Sequence, residues 1–282
     1  MSEYRHLCAQ CERYILRLEE LERARLTIEK YQRDIRGFLA FFRTAEHRDK
    51  RAVIAFKAEL ERDHAVSSVN STLSAVNGFL RFAGREDWRV RPIRTQRRLF
   101  CPQERELSKP EYERLLTAAR RRRDQRLYML LQTLCSTGIR VSELSAVTVA
   151  AVRLGRAEIR CKGKCRVILL PRKLCRLLLG YAARRGLAKG QIFVTRTGRP
   201  LDRSNVWAEM KGLCQAAGVA SSKVFPHNLR HLFARTYYAR ERDLARLADL
   251  LGHSNVNTTR IYVVSSGLEH KRQIENMGLI FS

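Results

Sequence analysis

Residues 226–262 read PHNLRHLFARTYYARERDLARLADLLGHSNVNTTRIY. Apolar spacing and a proline at the start predict a helix near 227–239, and a second near 243–251 that Gly252 terminates. His227 and Arg230 are three residues apart and therefore share one helical face. His253 stands just beyond the glycine, and Tyr262 follows nine residues later.

Toward the N-terminus, CSTGIRVSEL (135–144) follows an apolar helix over Leu127–Leu134. Gly138 marks a turn, so Arg140 can project from the next helix start into a cleft. Ser108 and Glu111 form a capping box ahead of a helix over Tyr112–Arg121. Between these motifs, Ala157–Arg160 and Arg166–Leu170 are β-type runs flanking Cys161-Lys-Gly-Lys-Cys165, which predicts a small hairpin. Further helices are expected near 171–185 and 204–217. The coarse reading of this half is mixed α and β, dominated by helix.

These side chains suit one kind of chemistry. Cutting a phosphodiester without a metal needs an attacking side-chain oxygen, fixed positive donors around the transition-state oxygens, and an acid for the leaving 5′-oxygen. Arginine fits the second task because its planar fork donates two hydrogen bonds and keeps its charge. Plainer readings exist for each piece. Arg140 is a surface arginine in one of them, and His253 a simple helix cap in another. His227 and His231, four apart, have zinc-protease spacing, but position 228 is asparagine rather than the water-activating glutamate. Tyr237 and Tyr238 sit mid-helix in an apolar stretch and read as packing residues.

Residues 1–88 read as a four-helix unit. From Leu26, the positions Ile28, Tyr31, Ile35, Phe38, Leu39 and Phe42 recur at helical spacing, with Thr27 available as a cap. Val66, Val69, Leu73, Val76, Phe79 and Leu80 repeat the pattern up to Gly84, and weaker helices lie near 4–20 and 49–62. Residues 89–106 change character: WRVRPIRTQRRLFCPQER (88–105) carries two prolines, six arginines and no periodicity. It is expected to be an extended linker, with Arg91, Arg94, Arg97 and Arg98 along a phosphate backbone. Residues 107–282 form the second domain.

Taken in order, these strings resemble the tyrosine recombinase (phage integrase) family, whose signature is Arg, a hairpin Lys, His-x-x-Arg, His and Tyr. The motif match spans roughly 108–265, and the N-terminal helices resemble the family's core-binding domain. The implied fold is mainly α with a small β-sheet: a SAM-like core-binding domain followed by a mixed α/β catalytic domain. The implied nucleophile is Tyr262, forming a 3′-phosphotyrosyl bond, with Arg140, Arg230 and His253 on the non-bridging oxygens. His227 assists proton transfer at the tyrosine. Aligning Lys162-Gly163 on the family's hairpin makes Lys162 the acid for the leaving oxygen; aligning from Arg166 leaves Lys164, otherwise a DNA contact. Neither ATP nor a metal is implied, because the phosphotyrosine conserves the bond energy. The implied partner is double-stranded DNA with paired half-sites, bound by a homodimer per site and a homotetramer in the synapse, with exchange through a Holliday junction. Leu268, Ile274, Met277, Leu279 and Ile280 are expected on a terminal tail helix that packs on its own domain or, as the resemblance implies, docks on a neighbouring protomer.

Charge and composition bound the rivals. The 55 basic and 28 acidic residues give +27, and a polyphosphate is the usual partner of such an excess. No apolar run approaches the roughly 20 residues of a membrane span, and the acid-threaded start is unlike a signal peptide, so a cytoplasmic location is expected. Cys8 and Cys11 have zinc-ligand spacing but lack a matching second pair. A catalytically silent DNA-binding regulator, a type IB topoisomerase and a metal nuclease remain as alternatives. The last needs clustered carboxylates, and Asp202, Glu209, Asp243 and Asp249 show no such string.

Overall fold

A computed structural model of the chain describes residues 2–94, 105–161, 164–195, 197–253, 255–260, 262 and 275–277. The chain divides in sequence between Arg97 and Arg98 into two compact units.

In the first unit, α1 (Ser2–Glu20), α2 (Arg25–Thr44), α3 (Lys50–Asp63) and α4 (Val66–Phe82) enclose one apolar core. The stripes read from the sequence are the buried ones: Ile35, Phe38, Leu39 and Phe42 on α2, and Val69, Leu73, Val76, Phe79 and Leu80 on α4. Each such side chain contributes about 1.5–3 kcal/mol by leaving water. Phe38 meets Phe56 of α3 edge-on at 5.4 Å. The expected Thr27 cap is corrected. The α2 helix begins at Arg25 behind an uncapped Ala24, so Thr27 lies inside the first turn. There the Arg25–Glu29 pair, 2.9 Å apart, spans i to i+4 across the start.

Residues 89–94 have no regular structure but are clasped by α4. The Asn77 side chain accepts from Val90 N (3.0 Å) and donates to Val90 O (2.8 Å). Asn70, two turns earlier, makes the same pair of bonds with Ile93, at 2.8 and 2.9 Å. Two amides thus satisfy a short extended segment as a neighbouring strand would.

The second unit is built on α5 (Lys109–Arg121), α6 (Gln125–Thr137), α8 (Arg172–Arg184) and α11 (Pro226–Glu241), with α6 packed against the other three. The Ser108–Glu111 capping box is present on α5. α6 buries Leu127, Met129, Leu130, Leu131, Thr133, Leu134 and Thr137, nearly its full circumference, as a central helix must. It ends at Gly138 with φ +63°. A Cβ there would lie 2.4 Å from the Phe233 ring, so both backbone conformation and space require glycine. A 3-10 turn over Val141–Ala146 and α7 (Val149–Leu154) lead into β1 (Arg156–Cys161) and β2 (Lys164–Leu169). The strands pair antiparallel from Arg156↔Leu169 to Cys161↔Lys164. The helix expected over 204–217 is two, α9 (Arg203–Lys211) and α10 (Cys214–Ala217). α12 (Leu244–Leu251) and α13 (Val256–Arg260) complete the described elements. No described helix is long and apolar enough to cross a membrane.

Candidate active site

Arg230 lies on α11 and is 1% exposed. Its Nη1 donates to Gly138 O (2.6 Å), and its Nη2 donates to Leu251 O (2.8 Å) and meets His253 Nε2 at 2.8 Å. One side chain therefore joins the end of α6, the end of α12 and His253 two residues beyond it. Two of its bonds go to carbonyls at helix C-termini, where the helix dipole favours a cation. Burial lowers the guanidinium's basicity, and the Tyr262 side chain opposes this as a hydrogen-bond partner. Its Nε is buried without a hydrogen-bond partner among the described residues.

The state of His253 follows from these contacts. A guanidinium only donates, so His253 Nε2 accepts and the ring is neutral with its proton on Nδ1. That proton is directed at Thr259 Oγ1, 2.8 Å away. Burial, then the charges of Arg230, Arg140 and Arg166, push the imidazole down to about 4. Thr259 is fully buried on α13, so the second threonine of Asn-Thr-Thr-Arg receives the Nδ1 proton of the tautomer that Arg230 sets.

Tyr262 follows α13 and is 3% exposed, in a small cluster with Ala234, Leu247 and Leu251. Its ring lies parallel to that of His253 (centroids 5.7 Å apart, 11°) and edge-on to His231 (4.4 Å, 65°). His227 lies 5.9 Å from the tyrosine and 4.8 Å from His231. Burial pushes His231 down to about 4 and lowers His227, in which the charges of Arg230, Arg140 and Arg203 assist. Both rings are thus biased toward the neutral, proton-accepting form.

Arg140 opens the 3-10 turn with its side chain 44% exposed. Glu143, 7% exposed, accepts from Arg140 N at 2.7 Å and from Arg140 Nη1 at 3.1 Å. Arg166 Nη2 donates to Glu143 Oε2, the oxygen that also accepts from Arg140 N, at 2.5 Å. A buried carboxylate between two guanidinium groups holds Arg140 with its side chain 44% exposed and, among the described residues, bonded to Glu143 alone. It also leaves Glu143 itself well satisfied.

The structure thus brings Arg230, His253 and Tyr262 together with His227, and places Arg140 close enough to bias both histidines electrostatically. Lys162 lies outside the described residues, and for Lys164 the strand is described but not the side chain. Arg91 and Arg94 are exposed on the first unit, whereas Arg97 and Arg98 lie outside the described residues, as does nearly all of the expected tail helix. Tyr237 and Tyr238 are partly buried and pack against the cluster that holds Tyr262. Cys8 and Cys11 face the first unit's core. Asp202 and Asp243 cap α9 and α12, and Glu209 pairs with Arg126 at 2.6 Å. Thr259, His231 and Arg166 received no role from the sequence. Thr259 was visible as part of the Leu-Gly-His…Thr-Thr-x-x-Tyr string, but its partner was not.

Comparisons with known proteins place the chain in a family. The Phage integrase family matches residues 105–267, and the Phage integrase, N-terminal SAM-like domain matches residues 11–87. Tyrosine recombinase XerA of Thermococcus kodakarensis is 30% identical over 288 residues, covering 98% of this chain and 96% of that protein. Tyrosine recombinase XerD of Halalkalibacterium halodurans is 29% identical over 261 residues, covering 84% and 86%. Two solved structures share the fold with a TM-score of 0.71 each. They are XerH bound to a palindromic difH substrate (20% identity; 90% of this chain, 80% of that one) and a lambda integrase tetramer bound to a Holliday junction (18%; 91% and 76%). The chain belongs to the phage integrase family and is a tyrosine-type site-specific recombinase.

Proposed function

We propose that this chain cuts and rejoins double-stranded DNA through a 3′-phosphotyrosyl bond on Tyr262. The observation that carries the proposal is the convergence of a fully buried arginine, a tautomer-fixed histidine and a tyrosine from α11, the end of α12 and the end of α13. In the cleavage step the Tyr262 oxygen bonds to phosphorus and the P–O5′ bond breaks. The phenol proton passes to a neutral imidazole, His227 in this reading, while Lys162 (or Lys164) protonates the departing 5′-oxygen. Arg140, Arg230 and His253 hold the non-bridging oxygens. For His253 that role needs a proton on Nε2, which now accepts from Arg230. A phosphate that takes over this guanidinium bond also favours that proton. Attack by a 5′-hydroxyl of the partner strand reverses the step without ATP or metal, and a second exchange resolves a Holliday junction.

In this reading, residues 1–88 are the core-binding domain and 107–282 the catalytic domain with its tail helix. The stretch 89–106 is a basic strap whose Arg91, Arg94, Arg97 and Arg98 follow phosphates. The assembly is a dimer on one site and a tetramer in the synapse, acting in the cytoplasm in integration and excision of a mobile element or in Xer-like resolution. The likeness to the Xer recombinases, and to XerH and lambda integrase solved on DNA, supports this. A nicked suicide substrate bearing the cognate site tests it. Wild type is expected to become attached to the 3′-phosphate, with full activity in EDTA, and Tyr262→Phe to bind without attaching. Attachment persisting in the Phe variant would refute the assignment.

A further inference from the structure

Arg166 lies on β2 in the hairpin motif, and no step of the chemistry above is assigned to it. Its side chain is 17% exposed and spans two partners. Nη1 donates to Leu250 O in the last turn of α12 (2.7 Å), and Nη2 to Glu143 Oε2 (2.5 Å). Through Glu143 it meets the carboxylate that orients Arg140, and through α12 the helix end that carries His253. Gly252 makes room for it. The glycine has φ +67°, and a Cβ there would sit 2.5 Å from Arg166 Cδ and 2.8 Å from Nε. The glycine of Leu-Gly-His thus caps a helix and also seats the stem of an arginine.

The hairpin has need of such an anchor. An isolated two-stranded ribbon is marginally stable in water. Its inward face buries Ala157, Ile159 and Ile168, while Val167 and Leu169 on the alternate face are half-exposed or more. Arg166 shares the inward side with Ile168, two residues on, and pairs across the ladder with Ile159. The ladder continues to Cys161↔Lys164, so Lys164 belongs to its far end, about 7 Å of strand beyond Arg166, and Lys162 is the next residue in sequence after Cys161.

We infer that Arg166 is a positioning residue for the general acid: it clamps the lysine-bearing hairpin to the Glu143–Arg140 pair and to the α12 end that presents His253. The inference rests on the reading that a hairpin lysine protonates the leaving oxygen. Without the clamp the strands still pair, but the lysine loses its register to the phosphate held by the arginines.

The test uses the full chain and two suicide substrates, one with the ordinary scissile phosphate and one with sulfur at the bridging 5′ position. A thiolate leaves without a proton and so bypasses the acid. Arg166→Ala is expected to cleave the ordinary substrate about 100-fold more slowly, within the range a general acid contributes. On the sulfur substrate it is expected to stay within about threefold of wild type, because the bypassed acid is the contribution at stake. Lys162→Ala or Lys164→Ala, whichever removes the acid, shows the same selective rescue. Arg166→Lys keeps the charge but cannot reach both partners, and falls between. Gly252→Ala displaces the stem and mimics it. Should Arg166→Ala fail to fold, as judged by its melt and by DNA binding, the Lys and Gly252 variants carry the test. Equal losses on both substrates, alongside a rescued lysine variant, would overturn the clamp. Rescue of neither lysine variant would instead remove the general-acid reading, and the inference with it.

Discussion

In the helical bundle of residues 2–94, the buried side chains run from Leu7 to Val90 and are apolar or aromatic. The second unit also has an aliphatic core, but among the described residues it holds all six buried polar or charged ones: Thr133, Thr137, Glu143, Asn228, Arg230 and Thr259. A buried polar group is costly unless its bonds are made, and each of these six side chains makes at least one, although Arg230 Nε has none among the described residues. Thr137 donates to Thr133 O, Thr133 to Met129 O, and Asn228 to the carbonyls of Arg105 and Lys223. Glu143, Arg230 and Thr259 lie in the network around Tyr262. The bundle needs complementary volume. The catalytic unit needs specific bonds in addition, and this is where its substitutions should be felt most.

That contrast is broken or sharpened by four measurements. The largest effect is expected for Arg230→Lys, which keeps a charge but replaces a fork joining three partners by a single ammonium. Cleavage should fall by at least about 100-fold, with site binding retained in a gel-shift assay; near-normal cleavage would mean that the buried fork is structural only. Glu143→Gln comes next. It leaves Arg166 without a carboxylate partner and Arg140 without its brace, and breaking such a buried pair typically costs about 3 kcal/mol. Calorimetry should register it as a lower melting temperature, together with slower cleavage.

The third concerns pH. His253 and His231 are held near 4 in the folded chain against 6.5 for the free group. Between those values the unfolded chain binds more protons, so stability is fully present above about 6.5 and falls as the pH drops toward 4. Melting temperatures at pH 7 and 5 should differ in that direction, and His231→Phe, which cannot titrate, should narrow the gap. An unchanged gap would show that His231 takes no part in it. The smallest effect is expected in the bundle: Leu73→Met, a volume-conserving change in an all-apolar core, should cost less than about 1.5 kcal/mol and leave cleavage untouched. A large loss of cleavage there would erase the distinction between the two units.

Much of the architecture was legible in the residues because it is written in local terms. Period-3.6 stripes marked the bundle helices, Ser108 and Glu111 the capping box, and Gly138 and Gly252 the helix ends. The strand runs around Cys161–Cys165 located the hairpin to within a residue or two. Thr27 misled because a favourable cap residue competes with a start one turn earlier, and the Arg25–Glu29 pair is the local feature found there. The clasp of Asn70 and Asn77 on residues 90 and 93 was hidden for another reason. Both asparagines read as the polar side of an amphipathic helix, and nothing in their spacing says that a backbone lies against that side.

The same division holds at the site. The order Arg140, His227, Arg230, His253, Tyr262 can be read directly from the chain, since residue type and helical spacing are properties of the sequence. That Arg230 is buried, that its fork ends on Gly138 and Leu251, and that it sets the tautomer of His253 depend on segments up to about ninety residues apart. So does the span of Arg166 from Glu143 to α12. Periodicity states which face of an element is buried; only packing states what that face meets, and the bonds around Tyr262 are made by what it meets.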